Sequence, residues 1–321
     1  MTKLPPTSPA AHRLRGYEIL PWLCAAGAYF VFPEYLALGG QILVMVLFAL
    51  SLDLILGYAG IVTLGHAAFF GTGAYVAGIL AAHGWTEPLS LLLAAGAAAC
   101  LVGAVTGAIV LRTSGLTLLM VTLVVSELLQ ETANKLGWLT GGADGLQGIT
   151  IAPLLGLFRF DLFGRTAYLY CLAVLFLAWS LARLIVHSPF GRTLIGIREN
   201  VTRMHAIGSP VFSRRLRIYA ISAALAGIAG ALLTETTQFV ALQVLGFELS
   251  GTVLVMLILG GVGRLYGAFI GAPLYMIAQD QLARDDPAYW LFWIGLLLVV
   301  VVMFARGGVL GIVDRLAKAR R

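Results

Sequence analysis

From Leu89 to Leu111 the chain reads LSLLLAAGAAACLVGAVTGAIVL, with no charged side chain and no polar face. A run of about 20 apolar residues, rising about 1.5 Å each, spans the roughly 30 Å of a bilayer's hydrocarbon. Only a closed barrel or a helix satisfies its own backbone there. Barrel strands alternate over about ten residues, and this run does not alternate. Comparable apolar stretches occupy about 18–38, 40–58, 67–83, 88–111, 115–133, 166–187, 216–238, 249–260, 265–279 and 288–305. Only 11% of the residues are charged and 60% are hydrophobic, whereas a soluble domain is about a quarter charged. The fold class is therefore all-α: a polytopic helical membrane protein of about 8–10 transmembrane or re-entrant helices, with a short cytoplasmic helix.

Charge orients it. With the N-terminus in the cytoplasm and roughly ten crossings, the far side receives only Lys135, Arg159, Arg165 and Arg284 of the 21 Lys and Arg. That is the positive-inside asymmetry of an inserted protein. The far side holds Glu87, Asp144, Asp161, Asp280, Asp285 and Asp286 instead. The chain then divides into a Pro-rich cytoplasmic arm (1–17), one transmembrane domain (18–306) with a cytoplasmic loop at 188–215, and a basic cytoplasmic tail (307–321).

Two glycine-rich segments interrupt the apolar pattern. "AGIVTLGH" at 59–66 is too short to span, and "GGVG" at 260–263 breaks the segment 249–279. Irregular backbone at membrane depth survives only under protein or beside a water-filled cavity. Small residues also recur at helical spacing: Gly103 and Gly107; Ala223, Gly227 and Ala231; Gly263, Gly267 and Gly271. In lipid such spacing lets helix backbones approach closely. Cys24, Cys100 and Cys171 are scattered through apolar runs and read as small core residues rather than disulfides or metal ligands.

Much catalytic chemistry is missing. The chain has no GxxxxGK[ST] phosphate loop, no HExxH and no nucleophile elbow, and no loop long enough to hide a soluble catalytic domain. No motif in the chain supports an enzyme.

One island stands out against this oil: GRTLIGIRENVTRMHAIG, from Gly191 to Gly208. On a helical wheel Leu194, Ile197, Val201 and Met204 share one face. Arg192, Glu199 and Arg203 share the other, with Arg198 at the flank. This predicts one short amphipathic helix, stopped by Gly208, Ser209 and Pro210. Three readings fit: a helix lying in lipid headgroups, a charged linker obeying the positive-inside rule, or a helix docked in the groove of a cytoplasmic partner.

Polar residues inside the apolar runs are costly and tend to face a bundle interior. Asp53, four residues before Gly57, is expected to brace the bend at GYAG (57–60). His66 is expected to pair with a neighbouring backbone group, Glu127 to line an outer mouth and Glu131 to be solvated. Thr63, Thr122, Glu235 and Gln238 complete the set.

The order of these blocks resembles the LivM-type permeases of the branched-chain amino-acid ABC transporter family. GYAGIVTLGHAAFFGTGAY (Gly57 to Tyr75), GLTLLMVTLVVSE (Gly115 to Glu127) and LTGGADGLQGI (Leu139 to Ile149) carry the likeness. So do SPFGRTLIGIREN with Ala206 and Gly208, SAALAGIAGAL (Ser222 to Leu232) and LGGVGRLYGAFIGA (Leu259 to Ala272). The chain departs from the family's common residues at Asp53, Ile61, Thr63 and 203–205. The resemblance implies a permease of the bacterial inner membrane, working with a homologous LivH-type permease, two cytoplasmic ATP-binding subunits and a periplasmic solute-binding protein. ATP would be hydrolysed by the partners, with no cofactor in this chain and no nucleic acid involved. The substrate would be a branched-chain or related amino acid, with urea or an amide as the main rival and a stand-alone secondary transporter a weaker one. The resemblance makes Gly191, Arg192, Arg198, Glu199, Asn200, Arg203, Ala206 and Gly208 the ATPase-coupling set. Asp53, Gly57, Gly60, Thr63, His66, Thr122 and Glu127 become candidates for lining or bracing the pathway.

The orientation is testable. In a background lacking the three native cysteines, cysteines placed at residues 8 and 318 should escape an impermeant thiol reagent applied outside intact cells. Labelling at either position would overturn the assignment of both termini to the cytoplasm.

Overall fold

The computed structural model describes residues 20–154, 158, 164–287, 289–304, 308, 309 and 311; the expectations for the arm (1–17) and for nearly all of the tail (307–321) fall outside them. The regular structure among the described residues is helical, apart from two isolated bridges, Leu146 with Val240 and Leu154 with Phe158. Thirteen α-helices are described. The first six are α1 (Leu20–Val31), α2 (Leu36–Asp53), α3 (Ala67–Ala82), α4 (Pro88–Val110), α5 (Gly115–Lys135) and α6 (Gly137–Thr140). They are followed by α7 (Arg165–His187), α8 (Pro189–Glu199), α9 (Val201–Ala206), α10 (Val211–Thr237), α11 (Phe247–Gly260), α12 (Gly267–Asp285) and α13 (Trp290–Phe304).

Among the described residues, five segments are long and apolar enough to cross a membrane: Pro33–Tyr58, which contains α2, together with α4, α5, α7 and α10. Shorter elements fill the remaining expected spans. At 14 residues, α11 is about 21 Å long, less than a full crossing. It folds back on α12 through the break at 261–266, where Gly271 lies against the Met256 carbonyl and Gly260 against Gly267. The expected Gly263–Gly267–Gly271 stripe is therefore not one helical face. Gly263 sits in the loop with φ +77°, and only Gly267 and Gly271 belong to α12. The first break also moves: chain 18–38 is interrupted at Phe32, because Pro33 opens a 3-10 turn and a new helix starts at Leu36.

The bundle's centre is α10 packed on α3 and α4. The pattern of small residues explains it. Gly73 of α3 lies against the Gly227 backbone, and Gly227 faces Ala95 and Ala99 of α4. A Cβ on Gly230 would stand 2.8 Å from the Ala74 nitrogen, and Gly103 abuts Ala223. With no Cβ in the way, three backbones approach closely enough for dispersion to hold them, which matters where lipid offers no hydrophobic drive for helices to associate. Thr234 Oγ1 adds a bond to the Ala74 carbonyl at 3.0 Å. Around this centre α2, α7, α11 and α12 close the rest of the core. In contrast, α5 leaves most of its surface open: Leu116, Met120, Val124 and Leu128 are all exposed.

Gly230→Leu should therefore abolish the monodisperse detergent-solubilised protein or lower its stability by at least about 3 kcal/mol, since the overpacked atoms are backbone and cannot yield. Gly295→Leu on α13, where an added Cβ meets nothing within 4 Å, should leave the thermal unfolding midpoint unchanged.

Candidate functional site

The two breaks meet. Helix α2 ends at Asp53 and runs on as one π-turn, Leu54–Tyr58. Single π-turns of this kind occur often at functional positions. The chain then turns at Gly60 (φ +69°) and runs without helix to Gly65. Along it Ile61, Thr63 and Gly65 are buried while Gly60 and Val62 are exposed, the alternation of an extended segment.

Its backbone is satisfied by side chains from elsewhere. Leu64 N–H donates to Thr122 Oγ1 of α5 at 3.2 Å. Ala67 N–H, at the start of α3, donates to Ser250 Oγ of α11 at 2.8 Å. Gly65 N–H donates to Thr63 Oγ1 at 3.1 Å, and Ile61 N–H reaches back to the Ile55 carbonyl at 2.9 Å. Thr63 and Thr122 therefore brace the break, one from within and one from its neighbour.

Asp53 reaches across to the second break rather than bonding within its own bend. Its Oδ1 accepts a hydrogen bond from Gly263 N–H at 2.7 Å, and the residue is wholly buried. Gly57 is bare because a Cβ there would stand 2.6 Å from the Gly263 nitrogen. The 57–73 and 260–271 segments, which share only a glycine-rich character in sequence, are in this way one joint.

The histidine expectation needs correcting. The buried His66 pairs not with backbone but with the Ser51 hydroxyl, Nε2 to Oγ at 2.8 Å. Ser51 gives its single proton to the Phe48 carbonyl at 2.7 Å, so His66 must be the donor through Nε2–H. Its ring stacks on Phe48 at 5.4 Å. Ser222 Oγ of α10 donates to the Ser51 carbonyl at 2.5 Å, tying α2, the start of α3 and α10 together. Glu235 of α10 is equally buried and lies against Tyr170 of α7. Gln238 caps α10 in the left-handed conformation, φ 52°. Glu127 is exposed on the open face of α5, beside Met120 and Val124. Glu131, also exposed, pairs with Lys135 at 3.5 Å.

The charged island at 191–208 is two helices rather than one. Ser188 caps α8, accepting from Gly191 N–H at 3.2 Å, with Pro189 at its first turn. At Asn200 the backbone becomes extended (φ −156°, ψ 102°), and Oδ1 accepts from Arg203 N–H at 2.8 Å to cap α9. Asparagine at 200 is a helix breaker and starter, a role the wheel analysis overlooks because it assumes one continuous helix. Leu194 and Ile197 are buried as expected, each worth about 2 kcal/mol against exposure. Val201 and Met204 are only half-buried, because α9 takes a new direction. Gly191 is pressed on the Ile185 and Val186 carbonyls. Thr193 accepts from Arg214 at 2.6 Å, tying α8 to α10.

Of the expected coupling set, Arg192, Glu199, Arg203, Ala206 and Gly208 are exposed. Gly208 (φ +78°) has open space where a Cβ would stand, so its requirement is backbone conformation and not close approach. Arg198 departs from the set. Its chain is largely exposed, yet its guanidinium Nη1 turns inward and donates to the Gly57 carbonyl. Sequence reasoning overlooked Ile207, which is 69% exposed just past α9. Its signal was an apolar residue in a polar loop, directly before the stop.

Among the described residues no cluster of His, Cys, Asp and Glu is arranged to hold a metal ion. No solved structure matches this chain at a significant level. The protein is similar to the high-affinity branched-chain amino acid transport permease LivM of Escherichia coli K12, at 27% identity over 289 residues, 84% of this chain and 68% of that one. It is 26% identical over 269 residues to a probable LivM of Methanocaldococcus jannaschii, covering 72% of this chain and 76% of that one. An autoinducer 2 import permease, LsrC of Enterobacter sp. 638, is 28% identical over 251 residues, 74% of this chain and 68% of its own. The match to the family described as branched-chain amino acid transport system / permease component runs over residues 35–302. A multi-pass helical bundle matched over most of its length in this way belongs to the branched-chain amino-acid transport permease family.

Proposed function

We propose that this permease is one half of an ATP-driven importer for branched-chain or related amino acids. In this reading it pairs in the bilayer with a homologous permease and receives solute from an extracytoplasmic binding protein. Two cytoplasmic ATPases drive it, docking on α8 and α9. The observation that carries the reading is the double character of that helical pair. Leu194 and Ile197 anchor α8 to the membrane bundle, while Arg192, Glu199, Arg203 and the apolar Ile207 face outward. A headgroup-lying helix would turn its apolar face to lipid; α8 turns that face into its own protein. An exposed isoleucine on the same outward surface as exposed charges is the pattern of an interface anchor with a polar rim.

The open face of α5 fits the other half of the reading. Glu127 is the thirteenth of 21 residues, roughly 18 Å along a helix roughly 31 Å long. A carboxylate at that depth does not face lipid. We assign this face to the solute pathway and the sister permease, with both chain termini in the cytoplasm.

Glu199→Arg should insert at wild-type level and still pair with the sister permease, but lose the ATPase on purification. Like charges set against a complementary surface cost several kcal/mol, enough to weaken binding by orders of magnitude. Retention of the ATPase with normal uptake would remove the docking reading. Substrate is tested separately: vesicles holding the full assembly should accumulate leucine with ATP. Accumulation of urea and not leucine would overturn the substrate alone.

A further inference from the structure

Arg198 occupies a place that docking does not explain. It lies at the end of α8, one residue before the outward-facing Glu199, yet its guanidinium donates to the carbonyl of Gly57 in the π-turn. Around it the structure has removed side chains. A Cβ on Gly60 would stand 2.9 Å from Arg198 Cγ, and a Cβ on Gly263 would stand 3.1 Å from Nη1. Gly60 and Gly263 both have positive φ, so their conformations also favour glycine. The slot is thus built from both breaks of the membrane domain. On its far side Asp53 ties the breaks to each other through Gly263 N–H, and the Arg198 charge acts on that carboxylate.

We propose that Arg198 is a positioning residue, a pin that carries movement of α8 into the joint of the two broken membrane helices. This rests on the reading of α8 and α9 as the docking pair. The chemistry suits the task. A guanidinium is planar, permanently charged and stiff about its fork, so it holds a carbonyl in a fixed direction. At one end α8 is anchored by buried Leu194 and Ile197; at the other, Asp53 ties the two breaks to each other. The joint itself contains a π-turn and an extended segment, two of whose N–H groups are held by side chains, Leu64 by Thr122 and Gly65 by Thr63. Such a segment can exchange those partners one at a time, whereas a continuous helix would have to break its own ladder. A pull on the Gly57 carbonyl therefore reaches the unwound chain at 59–66, which borders α5 through Thr122.

The test uses the reconstituted transporter with all partners, and reads the amount of bound ATPase and the solute imported per ATP hydrolysed. Arg198→Ala should retain the ATPase and lower import per ATP by about tenfold or more, the effect of losing a charged hydrogen bond from the coupling path. Arg198→Lys keeps charge and one donor and should recover part of it. Gly60→Ala, which crowds the pin while Arg198 is intact, should reproduce the defect. A merely structural role would lower the yield of assembled transporter and leave import per ATP in the surviving fraction unchanged; that result overturns the pin. So does loss of the ATPase in Arg198→Ala, which would make Arg198 a docking residue. If Arg198→Ala does not assemble, a normal import ratio in Gly60→Ala overturns the proposal and a reduced one sustains it. Failure of the docking reading is seen elsewhere, in normal ATPase retention and uptake by Glu199→Arg.

Discussion

The backbone N–H groups of 59–66 and 261–266 lie outside any helix, and in hydrocarbon each unpaired one would cost several kcal/mol. The rest of the structure is arranged around covering them. Asp53 supplies an acceptor to Gly263, Thr122 to Leu64, Ser250 to Ala67 and Thr63 to Gly65. These acceptors come from α2, α5, α11 and the segment itself. Four parts of the bundle must therefore be in register before the breaks are stable. The apolar packing of α3, α4 and α10 is the frame that allows this. It is held by glycine contacts that leave little room for adjustment.

That division gives the molecule a rigid part and an adjustable part. The frame of α3, α4 and α10 is joined backbone to backbone, and the stack of His66 on Phe48, with Ser51 and Ser222, fixes the start of α3 against α2 and α10. The breaks instead depend on side-chain acceptors, which can be exchanged locally without unwinding a helix. The pair α8 and α9 reaches the adjustable part through Arg198 and the frame through Thr193 and Arg214. Under the proposed docking, work done on α8 has two outlets, the packed frame and the unwound chain at the breaks.

The buried polar residues sort along the same line. Asp53, Thr122 and Ser250 hold the breaks or their edges, whereas Ser51, Ser222 and Thr234 tie helices of the frame. The exposed acid, Glu127, lies on α5 where the bundle has left a face uncovered. A carboxylate in that setting points to water or protein beyond this chain, because lipid would not tolerate it.

The sequence by itself determined the class, the places of the long helices and the two breaks, because hydrophobic length and glycine clusters are local signals. It also determined that Leu194 and Ile197 share an inward face, since helical spacing states that directly. Tertiary structure decided what those features meet. Nothing at position 53 says that its carboxylate reaches Gly263, 210 residues away, for hydrogen bonding across a bundle leaves no periodic trace. Asn200 splits the expected helix because its side chain competes for a backbone N–H, a contest that the apolar period does not register. Arg198 sits at the flank of the wheel beside the charged face, yet two glycines from two distant segments, Gly60 and Gly263, make room for it. A missing Cβ becomes a slot only when the chain has folded around it.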